Sequence, residues 1–223
     1  VLGPAQRAEV VVDFRGQLGS DVVLQTVPLE NAPPGAGTPN AQIMQFRVRT
    51  AVSDSGGLPT TLQKPPAMKR PSRVSAVWSV GLGKTAHGSF WKLNGQRFDH
   101  RRVVLKVDRG TTQMWELRND TKVTHFMHLH QQLWRTVTRN GKRPPPWERG
   151  LEDTWRLDPG ERVRVMARFT DYDGVYMLHC HMLDHEDNGL MAQFAVVDPK
   201  TGRLPEGYSY NPRGGPAARA QGL

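Results

Sequence analysis

Cysteine occurs once in the 223 residues, at Cys180. A single thiol excludes an intrachain disulfide and leaves the redox compartment open. No apolar run is long enough to span a bilayer as a helix, and no secretory signal stands at the start. That excludes little about targeting, since the first residue is Val1 and the sequence reads as beginning inside a domain. Low-complexity tracts and internal repeats are also missing. What the charge lacks is clustering. Lys and Arg number 30 against 21 Asp and Glu, a net +9. Acidic residues nevertheless interrupt the arginines, as in Arg156-Leu157-Asp158-Pro159-Gly160-Glu161-Arg162, and no nucleic-acid recognition motif accompanies them. The expectation is a solvated basic surface, with no nucleic-acid or membrane partner.

Turn chemistry, by contrast, is abundant. Seventeen prolines and 22 glycines separate short apolar runs, which favours an all-β protein. Residues 8–14 and 21–27 read as strands joined by a turn at 17–20, and 42–49 as a third. Residues 28–40 read as loop. Three strands cannot close a sandwich core, so residues 1–50 read as the end of a larger β domain. Residues 51–74 are a linker by composition. From 75 to 200, alternation predicts strands at 77–82, 103–107, 113–118, 133–139, 154–157, 162–169, 174–179 and 191–197, with turns at Asn140-Gly141 and Asp158-Pro159-Gly160. A Greek-key sandwich or barrel is expected. Residues 201–223, poor in apolar side chains, read as a tail that is loose or docked on a partner.

Two compact motifs hold six of the eight histidines and the cysteine: His125-Phe126-Met127-His128-Leu129-His130 and His179-Cys180-His181-Met182-Leu183-Asp184-His185. Successive side chains of a strand point to opposite faces. His179 and His181 then face one way and Cys180 the other, while His128 and His130 share a face. His125 falls on the opposite face or on the turn leading in, and His185 can curl back toward the cysteine. Neighbouring strands would give a two-His, one-Cys group and, on the other side, a four-imidazole array. Thiolate with imidazole suits copper or zinc. A closed structural zinc site needs four ligands, not seven. His87 and His100 belong to neither motif and read as ordinary.

The pair His-x-x-His-x-His and His-Cys-His-x-x-x-His resembles the C-terminal copper motifs of the multicopper oxidases. The resemblance runs through Trp91-Lys92-Leu93-Asn94-Gly95-Gln96-Arg97-Phe98, Trp115-Glu116-Leu117-Arg118-Asn119, Glu152-Asp153-Thr154-Trp155 and Asp171-Tyr172-Asp173-Gly174. It covers about residues 75–198 as a third, cupredoxin-like domain. Residues 7–14 look like the close of the second. Asn94-Gly95 with Phe98, and His185-Glu186-Asp187, are similar to the bacterial branch of laccases, bilirubin oxidases and phenoxazinone synthases. The resemblance implies type 1 copper at His125, Cys180 and His185, type 2 copper at His128, and the type 3 pair at His130, His179 and His181. It implies a proton-delivering role for Glu186, which reads equally as a solvated turn carboxylate. It implies dioxygen and an aromatic reducing substrate as reactants, and an extracellular, periplasmic or spore-coat setting.

Two departures from the family pattern stand out. Where the branch carries an axial methionine, this sequence has Leu190, with Met191 one residue later. Leu190 is expected at the axial position, which would raise the potential of the site. Second, the family's cluster draws on two further His-x-His pairs, and this sequence has none beyond those named. An N-terminal region or a second chain is expected to supply them. Trp134, Trp147 and Pro144-Pro145-Pro146 either border an aromatic-accepting cleft or simply pack. The eight methionines are scattered, which favours phenol-like reductants over cuprous ion. The rival readings are a blue-copper electron-transfer cupredoxin, which would leave four histidines without work, and a structural copper or zinc protein.

Overall fold

Alternating apolar residues between turn signals form strands here because pairing buries one face of each. The computed structural model describes residues 1–27, 41–51, 53, 56–58, 60–61, 64–86 and 88–212. The loop expected at 28–40, His87 and the last eleven residues of the tail lie outside the described residues. Contacts divide the chain into two units, Ala8–Lys64, and Val1–Arg7 with Pro65–Leu223.

In the smaller unit, β1 (Asp21–Gln25) and β2 (Gln42–Arg47) pair antiparallel with Asp21 opposite Arg47. Phe14 packs on Phe46 with ring centroids 5.1 Å apart. The strand expected at 8–14 does not form. Its β-branched residues supply propensity, but no strand among the described residues offers a ladder, and Val10, Val11 and Val12 stay exposed.

The larger unit is a sandwich. Its strands are β3 (Ala76–Thr85), β4 (Gly88–Leu93), β5 (Arg102–Asp108), β6 (Thr112–Asn119), β7 (His125–Leu129), β8 (Trp134–Arg139), β9 (Leu151–Glu152), β10 (Thr154–Leu157), β11 (Arg162–Arg168), β12 (Gly174–Cys180), β13 (Met191–Val197) and β14 (Ser209–Tyr210). One helix, α1 (Leu183–Asp187), stands between β12 and β13. One sheet runs β10-β7-β12-β13-β5-β14 and the other β4-β3-β6-β11-β8-β9. The pairs β3/β6, β5/β13 and β5/β14 are parallel and the rest antiparallel. This is the expected all-β, cupredoxin-like architecture. No helix among the described residues is long and apolar enough to cross a membrane.

The core between the sheets is aromatic. Trp115 is fully buried and meets Trp134 at 4.6 Å, Phe194 at 5.0 Å, Trp78 at 5.6 Å and Phe169 at 5.9 Å. Trp134 is therefore a packing residue and borders no cleft. Trp147 is 77% exposed on a short 3-10 turn, Pro146–Glu148. Glu148 ties that turn down through Arg139, with contacts of 2.6 and 3.0 Å. The tail is docked on its own sheet as far as Asn211. Ser209 N–H donates to Arg101 O at 2.8 Å and Asn211 N–H to Val103 O at 2.9 Å.

Two hairpin turns carry Asn-Gly with positive φ at both residues, 50° and 78° at Asn94-Gly95 and 50° and 76° at Asn140-Gly141. These are type I′ turns, which match the twist of the flanking strands. Asn94 does more than turn the chain. Its side chain accepts from Ser79 N–H at 2.8 Å and donates to Val77 O at 2.9 Å, fixing the hairpin to β3. Asn94→Ala should lower unfolding stability by about 2–4 kcal/mol in urea titration, because two buried backbone groups lose partners at a left-handed position.

Candidate functional site

The register of β12 against β7 sets the whole site. His179 lies opposite His128, Cys180 opposite Met127 and Leu178 opposite Leu129. Residues directly opposite each other share a face. Leu178, Cys180, Met127 and Leu129 all belong to the core between the sheets. His125, two residues before Met127, points the same way. His128 and His179 point out of the sandwich.

On the core side, His125, Cys180 and His185 bring ligand atoms within 4.8 Å of one another, all three residues buried. His185 reaches back because the chain breaks into α1 directly after Met182. The helix stops at Gly189, whose φ of 90° is the left-handed C-terminal conformation glycine favours. Leu190 N–H then bonds His185 O at 3.0 Å, and Cys180 N–H bonds Leu190 O at 3.1 Å. Cys180 Sγ sits 3.6 Å from His185 Nδ1 and accepts Phe126 N–H at 3.4 Å. His125 Nε2 meets Thr121 Oγ1 at 2.9 Å, and that hydroxyl donates to Asn119 Oδ1 at 2.7 Å. Nε2 therefore carries the hydrogen, and Nδ1 keeps a lone pair. That Nδ1 is buried with no hydrogen-bond partner. A buried nitrogen aimed beside a thiol and a second imidazole fits a soft metal ion.

On the outer side, His128, His130 and His179 also place ligand atoms within 4.8 Å of one another. His130 Nε2 and His179 Nε2 are 3.0 Å apart. The His181 ring is 5.4 Å from His179 and 5.5 Å from His128, close to the 5.3 Å between those two rings. The four imidazoles thus gather on one side, with ligand atoms of three of them in closest approach. His179 Nδ1 hydrogen-bonds Cys180 O at 3.2 Å, and Glu186 Oε2 lies 3.1 Å from the same nitrogen, so the carboxylate stands beside the array. His128 Nδ1 faces Asp153 O at 3.1 Å and Thr154 Oγ1 at 2.9 Å. His100 is exposed and apart from both groups.

Burial governs the electrostatics. It pushes His125 down to about 3, with repulsion from His185 adding to it, and His128 down to about 4. His130 and His185 are lowered for the same reason. These imidazoles are neutral at physiological pH, with lone pairs free to ligate. Burial pushes the Cys180 thiol up to about 11. Metal entry there must expel its proton. Burial also raises the Asp153 carboxyl, but hydrogen bonds from Arg7 and Thr154 outweigh it and hold the group below its usual value.

Leu190 and Met191 separate cleanly. Met191 lies opposite His179 and so shares the outer face, whereas Leu190 is fully buried in the same core cluster as Cys180. Sequence reasoning missed Trp91 and Thr121. The Trp91 ring packs edge-on to His125 at 4.8 Å and tilted on His185 at 4.6 Å. Thr121 precedes His125 by one turn of loop, and only its hydroxyl marks it.

The family model for multicopper oxidases matches residues 67–200. The chain belongs to the multicopper oxidase family. It is 36% identical over 208 residues to a laccase of Haloferax volcanii, covering 89% of this chain and 35% of that protein. It is 33% identical over 213 residues to a bilirubin oxidase of Albifimbria verrucaria, covering 89% and 36%. A laccase structure from Pediococcus acidilactici superposes with a TM-score of 0.65 at 29% identity, covering 82% of this chain and 37% of that one. This multicopper oxidase chain thus spans little more than a third of the length of those relatives. Copper oxidoreductases make up the family, and the sulfur–imidazole donor set found here suits that metal.

In the metal-free protein, His125 and His128 take up protons near 6.5 when unfolded but only near 3 and 4 when folded. The unfolded state binds more protons between those values. The stability involved is complete above pH 6.5 and is lost as pH falls toward 3. Urea titrations should show a decline approaching about 1.4 kcal/mol per pH unit for each histidine. His125→Asn should flatten the slope.

Proposed function

We propose that this chain is the C-terminal, electron-relaying portion of a laccase-like multicopper oxidase. Residues 75–200 would be its third cupredoxin domain, 1–50 the end of the second, 51–74 the linker and 201–223 a tail. His125, Cys180 and His185 would hold type 1 copper, His128 type 2, and His130, His179 and His181 the type 3 pair. The observation that carries this reading is that Cys180 lies in the core while the rings of its bonded neighbours, His179 and His181, gather with His128 on the other side of the sheet. Copper, when bound, would supply one-electron acceptance from a phenol- or aminophenol-like reductant on the core side and reduction of dioxygen to water on the outer side.

The chain's own groups fit those tasks. The backbone between Cys180 and His179 or His181 gives a path of a few bonds between the two faces, and the sheet keeps the two chemistries apart. Phe126 N–H, donating to Cys180 Sγ, favours the thiolate that ligation needs. Trp91 covers both core-side imidazoles and limits water there. Leu190 offers no donor atom on the cysteine face, so His125, Cys180 and His185 would hold the metal without a thioether and its potential would be raised. Glu186, with Oε2 3.1 Å from His179 Nδ1, would hold a proton beside the outer face. The remaining histidines of the outer site would come from an N-terminal region or a second chain. An extracellular, periplasmic or spore-coat setting is proposed from the resemblance alone. The electron-transfer alternative would leave the outer histidines without a task.

Copper loading followed by visible and EPR spectroscopy tests the proposal. The wild-type chain should show a thiolate-to-copper band that Cys180→Ser abolishes. Leu190→Met should lower the type 1 potential in a redox titration, and an unchanged value would remove Leu190 from the axial position. The loaded chain alone should not consume oxygen with a phenolic reductant, while addition of a region bearing His-x-His pairs should restore consumption. Oxygen reduction to water by the chain alone would overturn the shared-cluster reading.

A further inference from the structure

We propose that the segment Val1–Arg7 positions His128, acting through Asp153 and Thr154 to select which imidazole nitrogen faces outward. The contact chain begins at the ring. His128 Nδ1 lies 3.1 Å from Asp153 O, an atom that only accepts, so Nδ1 carries the hydrogen and Nε2 is left free. Thr154 Oγ1, 2.9 Å from the same Nδ1, is the ambiguous neighbour. A hydroxyl can accept from an N–H or donate to a bare ring nitrogen. Donation would favour the opposite tautomer and turn the free nitrogen away from the outer face.

Asp153 removes the ambiguity. Thr154 Oγ1 donates to Asp153 Oδ1 at 2.9 Å, so the hydroxyl proton is engaged and its lone pair faces His128. The carboxylate is held in turn by a two-pronged contact from Arg7, Nη1 to Oδ1 at 2.5 Å and Nη2 to Oδ2 at 2.9 Å. Such forked pairs fix orientation as well as charge. As a stability device the pair is weak, since the Arg7 side chain is 58% exposed. Orientation is the contribution left to it.

The segment carrying Arg7 is itself seated on the strands that frame His128. Gln6 Nε2 donates to Thr154 O at 3.3 Å, and Gly3 N–H donates to Gln6 Oε1 at 3.0 Å. Gly3 lies so near the Phe126 ring that an added Cβ would sit 1.7 Å from Cε1. Only glycine fits there. Phe126 and His128 lie on β7, opposite Arg156 and Thr154 of β10. One short segment thus touches both strands and ends on the carboxylate that orders the Thr154 hydroxyl. Arg7 and Asp153 are positioning residues, and their significance for metal binding rests on the reading of His128 as a ligand.

The test is nitrogen NMR of the metal-free full chain with labelled histidine, near neutral pH, with His128 assigned from a His128→Gln sample. Wild type should show the Nδ1–H form in excess. Asp153→Ala should move the tautomer ratio toward Nε2–H by about fivefold, the scale of one lost hydrogen bond. Arg7→Ala should move it the same way to a smaller extent, and Thr154→Ser should preserve it. His125, held by Thr121, is the internal control for folding. The proposal is overturned if wild-type His128 is mainly Nε2–H. It also fails if both alanine variants leave the ratio unchanged while the His125 signals stay native. If Asp153→Ala does not fold, Arg7→Ala decides by the same criterion. Cu(II) titration of the wild-type sample separates the two claims. Failure of copper to perturb His128 would count against the metal assignment, and the tautomer result would stand.

Discussion

The pairing of β12 with β7 is the constraint on which the rest of the molecule depends. Its register puts Cys180 opposite Met127 and His179 opposite His128. Because side chains alternate, the same few hydrogen bonds create a buried sulfur–imidazole group on one side and an imidazole group on the other. A slip of one residue would exchange the faces of both. The aromatic core around Trp115 makes such a slip costly, since Leu178, Met127 and Leu129 are locked into it.

Around this pair, three of the imidazoles have an oxygen partner on one ring nitrogen. Thr121 serves His125, Asp153 O and Thr154 serve His128, and Cys180 O, with Glu186 beside it, serves His179. Such outer contacts fix ring orientation and the nitrogen left for ligation. The division of labour is consistent: the sheet sets which face a histidine occupies, and loops or short elements set its tautomer.

Most of the frame was legible because strong local signals agreed with burial. The bounds expected for 154–157 and 191–197 are those of β10 and β13, where alternation ends sharply at Asp158 and Asp198. The same-face pairs His128/His130 and His179/His181 were legible for the same reason, as their spacing matches the strand period, whereas His185 is returned by α1. The failures are equally physical. Residues 8–14 have the right composition and no partner strand. β4 was passed over because Gly88, Ser89 and Lys92 blur its alternation, and the two-residue β14 exists only because β5 offers an edge. Trp91, Thr121 and Arg7 act through space, and nothing in their own neighbourhoods points to a histidine elsewhere in the chain.

The five-residue helix α1 has a further consequence for how the sulfur site is assembled. Cys180 and His185 are brought together by a single local reversal closed by Gly189, whereas His125 comes from β7, far earlier in the chain. His125 joins only when β7 zips onto β12. The free energy of closing a short loop is small beside that of docking a remote strand. The buried group thus takes two members from one local turn and the third from a remote strand, so its closure is tied to the register of β7 on β12.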